Sequence, residues 1–186
     1  MVAYIVLGIV AVLLAWFGGS YNRFVRQYQT IVNSWSNVDT ELQRRYDLVP
    51  NLVNTVKAYA AHEAETLRAV IEARTGAVQS TGDPHDDQEG PERLLVSELR
   101  HLLAVSEAYP DLQADMHFLE LQRQLVTTEN RIQATRRLYN GNIREYNQRV
   151  ETVPSRLVAA MTGFSRKEYF EIPAAISEAG APAVSL

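Results

Sequence analysis

The chain has 186 residues, of which 46% are apolar, and its 18 Lys and Arg against 22 Asp and Glu give a formal net charge of -4. This composition predicts one folded domain of modest size, and it excludes both a disordered chain and a strongly basic nucleic-acid-binding protein. The absence of cysteine excludes disulfides, thiolate zinc sites, iron–sulfur clusters and a cysteine nucleophile.

The first segment of the chain is apolar and uncharged. No charged side chain occurs from Met1 to Asn22, and Val2 to Phe17 is almost entirely aliphatic, ending in two aromatic residues. At about 1.5 Å per residue, a helix of this length reaches roughly 30 Å, which is the thickness of the hydrocarbon core of a bilayer. Residues 1–20 are therefore predicted to form a transmembrane anchor.

The charges around this anchor indicate its orientation. Arg23 and Arg26 follow the apolar segment, and no Lys or Arg precedes it. The positive-inside rule then predicts a single-pass protein of the bacterial cytoplasmic membrane, with a short N-terminus outside and the body in the cytoplasm. The alternative is a periplasmic helical protein released by cleavage at the small residues 18–20, although a signal peptide normally begins with positive charge.

Glycine and proline divide the rest of the chain into helical segments. An apolar stripe at seven-residue spacing runs from Tyr21 to Val49, and a second stripe follows Pro50. Pro50, Pro110 and Pro154 are predicted to interrupt helices, because the residue before a proline disfavours helical geometry. Residues 81–91 (TGDPHDDQEGP) combine several helix breakers with charges, which predicts a mobile connection.

A long segment without proline runs from Asp111 to Val153, and as one helix it would extend about 60 Å. A helix of that length needs antiparallel partners to cover its apolar side. We therefore expect an all-α fold, in which a single N-terminal transmembrane helix precedes an elongated antiparallel helical bundle of about four long helices. The expected boundaries are 1–20 for the anchor, 21–172 for the helical domain and 173–186 for a flexible tail rich in Ala and Pro.

No pattern of residues typical of catalysis is present. His62 and Glu63 begin like a zinc-protease helix, but Thr66 stands where the second histidine ligand would be. The glycine patterns that hold a nucleophilic serine, a phosphate or a dinucleotide do not occur. We therefore expect no metal, no cofactor and no enzymatic activity.

Three polar groups are too distinctive for an ordinary helix surface. The first lies at the predicted break and contains Arg45, Tyr46, Asp47, Pro50 and Asn51. Asp47 or Asn51 is expected to cap the helix that follows, because short polar side chains satisfy free backbone N–H groups there. Arg45 is expected to pair with Asp47 or with an acidic residue on a facing helix.

The second group is Glu129, Asn130 and Arg131 in the long helix. Glu129 falls on the apolar side between Leu125 and Ile132, so its charge requires a partner.

The third group consists of the pairs Tyr139–Asn140 and Tyr146–Asn147, which are seven residues apart and share one side of the helix. Our main interpretation of all three groups is that they form hydrogen bonds between helices and fix their register.

An alternative function for these groups is a ligand-binding or catalytic site. It would use Arg45, Asp47, Glu129 and Tyr139, which would have to converge in a cleft with perturbed ionisation.

At these residues the sequence resembles the LemA family of bacterial membrane-anchored proteins. The similarity covers most of the chain, and RYDLVPNLV at residues 45–53 is its most specific part. The other matching segments are Tyr21–Asn22, Val56–Lys57, Tyr59, His62–Glu63, residues 72–74, residues 107–112, residues 128–132, the two Tyr–Asn pairs, Gly163–Phe164 and residues 169–171.

The resemblance implies an all-helical body on a short N-terminal membrane helix. It also implies a family that includes magnetosome-associated members and has no established enzymatic activity. We therefore expect a non-enzymatic scaffold or adaptor whose partners are the lipid bilayer and membrane-associated proteins, self-association included, with no nucleic acid and no small-molecule substrate. The sequence leaves the oligomeric state open, because a seven-residue repeat also suits an intramolecular bundle.

Overall fold

A computed structural model of the chain describes residues 1–81 and 88–173, which are helical and contain no strand. The all-α prediction is confirmed. Residues 82–87 of the predicted mobile connection and residues 174–186 of the predicted tail lie outside the described residues. The helices are α1 (Val2–Tyr59), α2 (Ala64–Gln79), α3 (Glu89–Ser106), α4 (Pro110–Gln113), α5 (Met116–Glu151) and α6 (Ser155–Thr162).

The apolar first segment forms the beginning of α1. The helix passes through Gly18 and Gly19 without a break and continues for 58 residues to Tyr59. None of its apolar part is buried within the protein, and large aliphatic side chains project from it on every side. In the described part of the chain, α1 is the one helix long and apolar enough to cross a membrane, as judged by its length and composition.

The chain is divided into two compact units. The first contains residues 1–36 and 137–169, and the second contains residues 37–136 together with residues from 170 onward. Both α1 and α5 contribute to each unit, because the boundaries fall within these two helices.

The core of the first unit is aromatic. The ring of Phe24 on α1 meets Tyr146 on α5 edge to face, with 6.0 Å between centroids, and Trp35 lies 5.2 Å from Tyr139. The residue contacted on α5 falls from Tyr146 to Tyr139 as the residue on α1 rises from Phe24 to Trp35, so the two helices are antiparallel. Phe164, which follows α6, stacks on Phe24 at 4.9 Å. Gly163 makes this return possible, because it ends α6 at a φ of 80°, which is unfavourable for other residues.

The second unit is a bundle of four helices. In it, α1 and α5 run antiparallel, since Arg45 meets Glu129 and Tyr59 lies further along at Asp115. The helix α2 returns along α1, and α3 packs against α2. Each helix buries an apolar stripe, with Leu42, Val49 and Val56 from α1, Leu67 and Val70 from α2, Leu95, Leu99 and Leu102 from α3, and Leu125 and Ile132 from α5.

The predicted break at Pro50 is wrong, because α1 continues through it as a regular helix. Proline lacks an N–H group, so the Tyr46 carbonyl one turn earlier loses its usual partner within the helix. That carbonyl instead accepts a hydrogen bond from Arg74 Nε on α2, at 2.7 Å. The turn between the helices falls ten residues later than Pro50, at Ala60, and α2 starts at Ala64.

The long helix begins later than predicted, at Met116 instead of Asp111. Asp115 explains this start, because its Oδ1 accepts the backbone N–H groups of His117 at 2.8 Å and Phe118 at 2.9 Å. The short helix α4 occupies the preceding residues. The predicted interruptions at Pro110 and Pro154 are confirmed, since α4 starts at the first and α6 starts just after the second.

We expect the stabilising effect of the Arg74 side chain to depend on the proline at residue 50. Substitution Arg74→Met should lower the free energy of unfolding by about 1.5–3 kcal/mol, the usual contribution of a hydrogen bond to a charged group. In a Pro50→Ala background the new N–H group supplies the Tyr46 carbonyl, so the same substitution should cost less. Urea unfolding of the full chain in detergent micelles measures both effects.

A matched control for this cycle is Arg68→Met, since Arg68 also lies on α2 but forms an exposed pair with Glu72 at 3.6 Å. Its cost should be small and independent of residue 50. Equal costs for Arg74→Met in both backgrounds would contradict the role assigned to Pro50.

The cap at Asp115 predicts a pH dependence. Hydrogen bonds from the Phe118 backbone and then from the Tyr59 hydroxyl hold the pKa of Asp115 below its usual value. This contribution to stability is therefore present above the unfolded-state pKa of about 3.9 and is lost as the pH falls through the folded-state value. Such a carboxyl titrates roughly between pH 5 and pH 3. Over that range the wild type should lose more stability than Asp115→Asn, which keeps the cap without the charge.

Candidate functional site

The centre of the second unit is a buried arginine. Arg45 lies on the core side of α1 between Leu42 and Val49, and its side chain is 0% exposed. A guanidinium cannot lose its proton in a protein, so burial requires acceptors. Its Nη1 lies 3.0 Å from Glu129 Oε1 on α5, and its Nη2 forms an ion pair with Glu92 on α3. The partner expected for Arg45 on a facing helix is therefore present.

Glu92 is the member of this cluster that the sequence analysis missed. Its position near the start of α3 suits an acid in any case, because the N-terminal end of a helix dipole is positive. Its spacing from Leu95, Val96 and Leu99 places it on the apolar side of α3, and its side chain is 0% exposed. That spacing is the same signal that identified Glu129.

Tyr46 adds a neutral donor to the buried cluster. Its hydroxyl donates a hydrogen bond to Glu92 Oε1, while its backbone carbonyl accepts from Arg74. Burial raises the pKa of the Tyr46 hydroxyl above its ordinary value, and the positive charge of Arg45 opposes that shift in part. The phenol therefore stays protonated and remains a donor at neutral pH. We call Arg45, Tyr46, Glu92 and Glu129 the Arg45 cluster.

The Arg45 cluster connects three helices at one level of the bundle. One formal positive charge meets two carboxylates there, and the side chains of all three groups are at most 2% exposed. Such a cluster gains little net stability because desolvation offsets the attraction, but shifting any one helix would leave a buried charge without its partner. The geometry therefore suits alignment of α1, α3 and α5. It leaves no accessible face on Arg45 or Glu92 for a ligand.

Two polar residues of RYDLVPNLV lie at the surface. Asp47 is exposed and accepts a hydrogen bond from Gln43 Nε2 at 3.0 Å, and Asn51 is also exposed. The expected capping role of Asp47 or Asn51 is wrong, because no helix begins there. The alternative pairing of Arg45 with Asp47 is not observed either, since the Arg45 guanidinium is held by Glu92 and Glu129.

The two residues that follow Glu129, and also His62, lie at the surface. Asn130 and Arg131 are exposed, with Arg131 4.0 Å from Glu41. His62 is exposed, whereas Glu63 accepts a hydrogen bond from the Tyr109 hydroxyl at 3.0 Å. Within residues 1–81 and 88–173, no group of three His, Asp or Glu side chains is arranged to hold a metal ion.

The two Tyr–Asn pairs belong to the first unit. Tyr139 and Tyr146 are buried in its aromatic core, and Asn140 is half-buried. Asn147 is buried and holds the chain that follows α6, because its Nδ2 donates to the Lys167 carbonyl and its Oδ1 accepts the Lys167 N–H, both at 2.8 Å. The Asn147 side chain thus satisfies the backbone polar groups of Lys167, which lies in an irregular segment.

The four residues of the alternative ligand site differ in their surroundings. Arg45 and Glu129 form a buried ion pair, Asp47 is exposed, and Tyr139 packs on Trp35 within the other unit.

The sequence profile of the LemA family matches residues 34–186, which include the whole Arg45 cluster. This chain belongs to the LemA family. The resemblance inferred from the motifs is thereby confirmed. The profile match begins within α1, beyond the apolar segment.

Three curated relatives of this LemA-family chain illustrate the similarity. Magnetosome protein MamQ of Magnetospirillum gryphiswaldense and magnetosome protein MamQ 2 of Paramagnetospirillum magneticum are each 29% identical to it, over 174 and 175 residues and 81% of this chain. Protein LemA of Metamycoplasma hominis is 26% identical over 144 residues and 76% of this chain. In each case the match spans 64% of the relative, so this chain corresponds to less than two thirds of their length. None of these names denotes an enzyme.

We expect removal of the buried guanidinium to be far more costly than removal of its exposed neighbour. Substitution Arg45→Met should destabilise the chain by about 3–5 kcal/mol, because two buried carboxylates lose their counter-charge. Arg44, which pairs with Glu41 at 3.4 Å on the surface, is the matched control. Its substitution by Met should cost less than about 1 kcal/mol. Urea unfolding curves of the two variants compare the costs, and similar values would contradict the structural role of the Arg45 cluster.

Proposed function

We propose that this chain is a non-enzymatic, single-pass membrane protein of the LemA type, in which the helical body acts as a scaffold or adaptor for other membrane-associated proteins. We further propose that it resides in the bacterial cytoplasmic membrane, with residues from 23 onward in the cytoplasm. The observation that carries the proposal is α1, which is bare and apolar over its first part and continues unbroken into the helical body.

Membrane insertion follows from the cost of the bare apolar segment in water. Val2, Leu7 and Leu14 are each at least 67% exposed, and their neighbours are similarly uncovered. Transfer of such side chains to lipid gains about 25 cal/mol for each Å² removed from water. A backbone that is helical throughout leaves no N–H or C=O group unsatisfied inside a bilayer. Arg23 and Arg26 at its end support the cytoplasmic orientation.

An adaptor role is supported by an apolar stripe on the body. Tyr21, Val25, Tyr28 and Val32 follow one another at four- and three-residue steps along one side of α1, and each is between 36% and 43% exposed. We call these four residues the α1 stripe. It directly continues the proposed membrane anchor, so a partner that is itself held in the membrane would reach it readily. Aromatic and aliphatic groups of this kind are typical of interface centres.

A non-enzymatic role is supported by the state of the buried charges. Arg45 is paired with both Glu92 and Glu129 inside the bundle, where a substrate has no access to Arg45 or Glu92. Neither Arg45 nor Glu92 is therefore accessible to act on a substrate as acid, base or nucleophile.

Membrane insertion is tested by washing bacterial membranes with alkaline carbonate. We expect the full chain to remain in the membrane pellet, whereas a Leu7→Asp and Val10→Asp double variant should be released. Each Asp near a helix centre opposes insertion by about 2.5–3.5 kcal/mol. Asp substitutions at the exposed body positions Gln29 and Thr30 are the matched control and should not release it.

Release of the intact wild-type chain by this wash would contradict the anchor. N-terminal sequencing of the purified protein separates the cleaved periplasmic alternative, in which the first residue would lie near Ser20 instead of at the start of the anchor.

Partner binding is tested by placing a photocrosslinking amino acid at Tyr28 in intact cells. We expect discrete adducts with a membrane-associated protein or with a second copy of the chain, because Tyr28 lies in the α1 stripe. The same amino acid at Thr30, on the opposite side of α1, should give few adducts. Equal crosslinking at both positions would contradict the proposed binding surface.

A further inference from the structure

A cavity of about 400 Å³ lies in the first unit beside the end of the apolar segment. Trp16, Gly19 and Arg23 line it from α1, and Arg149 and Ser155 line it from the end of α5 and the start of α6. Its lining residues therefore include a tryptophan, a glycine and two arginines.

The two arginines in this cavity have no acidic partner among the described residues. In the part of the chain that the structure describes, no carboxylate lies within 4.0 Å of the guanidinium of Arg23 or Arg149. Arg149 Nε is buried and finds no hydrogen-bond acceptor in the described ranges 1–81 and 88–173, which is costly for a cationic donor. Burial, followed by the repulsion from Arg23, lowers the pKa of Arg149, and Glu145 offsets this only in part. An anion between the arginines would relieve both effects.

The position of the cavity along α1 indicates where this anion would come from. Trp16 and Gly19 lie at the end of the uncharged segment, and Arg23 is the first charged side chain after it. In a membrane-anchored chain, this level corresponds to the lipid headgroups, where tryptophan is also enriched.

The other wall of the cavity leads into a second apolar edge. Ser155 begins α6, and Val153, Leu157 and Met161 around it recur at four-residue steps, each at least 60% exposed. Exposed aliphatic side chains beside a basic cavity are typical of a helix that lies in the membrane interface.

We propose that this cavity binds the phosphate of an anionic lipid headgroup, with Arg23 and Arg149 as its ligands. The planar guanidinium suits this role because it can donate two parallel hydrogen bonds to phosphate oxygens. The proposal rests on the membrane anchor proposed above. Free inorganic phosphate shares the same chemistry, but it would gain nothing from the apolar edge of α6 or from the location beside the lipid-facing segment.

The test uses the full chain in phosphatidylcholine vesicles that contain trace spin-labelled lipids. Electron paramagnetic resonance measures which labelled lipids are immobilised at the protein. We expect labelled phosphatidylglycerol to be preferred over labelled phosphatidylcholine by about fivefold or more, the effect of one or two basic groups at a membrane surface. An Arg23→Gln and Arg149→Gln double variant should lose this preference.

Arg26→Gln is the matched control, because Arg26 lies one turn further along α1 and does not line the cavity. It should keep most of the preference, whereas an equal loss in both variants would show that net charge alone is responsible and would overturn the proposal. Circular dichroism of each variant checks that the helices are intact, and Arg149→Lys, which keeps the charge, should retain part of the preference if the fold is preserved.

Two further outcomes separate this proposal from its alternatives. An excess of inorganic phosphate should leave the lipid preference in place, and complete displacement would assign the cavity to free phosphate instead. Flotation of the same vesicles measures insertion independently. If the chain floats but shows no lipid preference, the headgroup site is refuted and the anchor stands; if it does not float, the anchor proposal fails first.

Discussion

A single guanidinium inside the bundle constrains much of the second unit. Arg45 cannot be neutralised by losing its proton, so its place on the core side of α1 is tenable only where Glu92 and Glu129 both reach it. Apolar side chains such as Leu42 and Leu99 would pack in several neighbouring registers, because their contacts are not directional. The ion pairs of Arg45 with Glu92 and Glu129 allow only one register. The conformational specificity of this fold therefore depends on groups that contribute little to its net stability.

The same motif contains a second pairing that fixes α2. Pro50 withdraws the backbone donor for the Tyr46 carbonyl, and Arg74 supplies it from the neighbouring helix at 2.7 Å. The Tyr46 side chain meanwhile joins the Arg45 cluster. Arg45 and Tyr46, which are adjacent on α1, thus determine how α2, α3 and α5 are placed against it. This explains in physical terms why RYDLVPNLV is the most distinctive part of a sequence whose surface is otherwise ordinary.

Local spacing predicted much of this architecture, including the apolar start of α1, the all-α fold, the interruptions at Pro110 and Pro154, and the need of Glu129 for a buried partner. It failed where the deciding contact is distant in sequence. Pro50 was expected to end a helix because the donor that replaces the missing N–H, Arg74, lies 28 residues beyond its acceptor Tyr46. Glu92 escaped notice because an acid in a first helical turn already has a local explanation. Two features have no signature in residue spacing, since each depends on the path of the chain after α6. They are the two hydrogen bonds of Asn147 to the Lys167 backbone and the cavity at Arg149.

A distance measured between α1 and α5 shows whether the Arg45 cluster specifies the register of the helices. Spin labels at the exposed positions Gln43 on α1 and Thr127 on α5 report this register by pulsed electron resonance. We expect one narrow distance distribution for the native core. Replacing Arg45, Glu92 and Glu129 together by Met should keep the helices and much of the stability but broaden the distribution. An equally narrow distribution at the same distance in the apolar variant would contradict the claim.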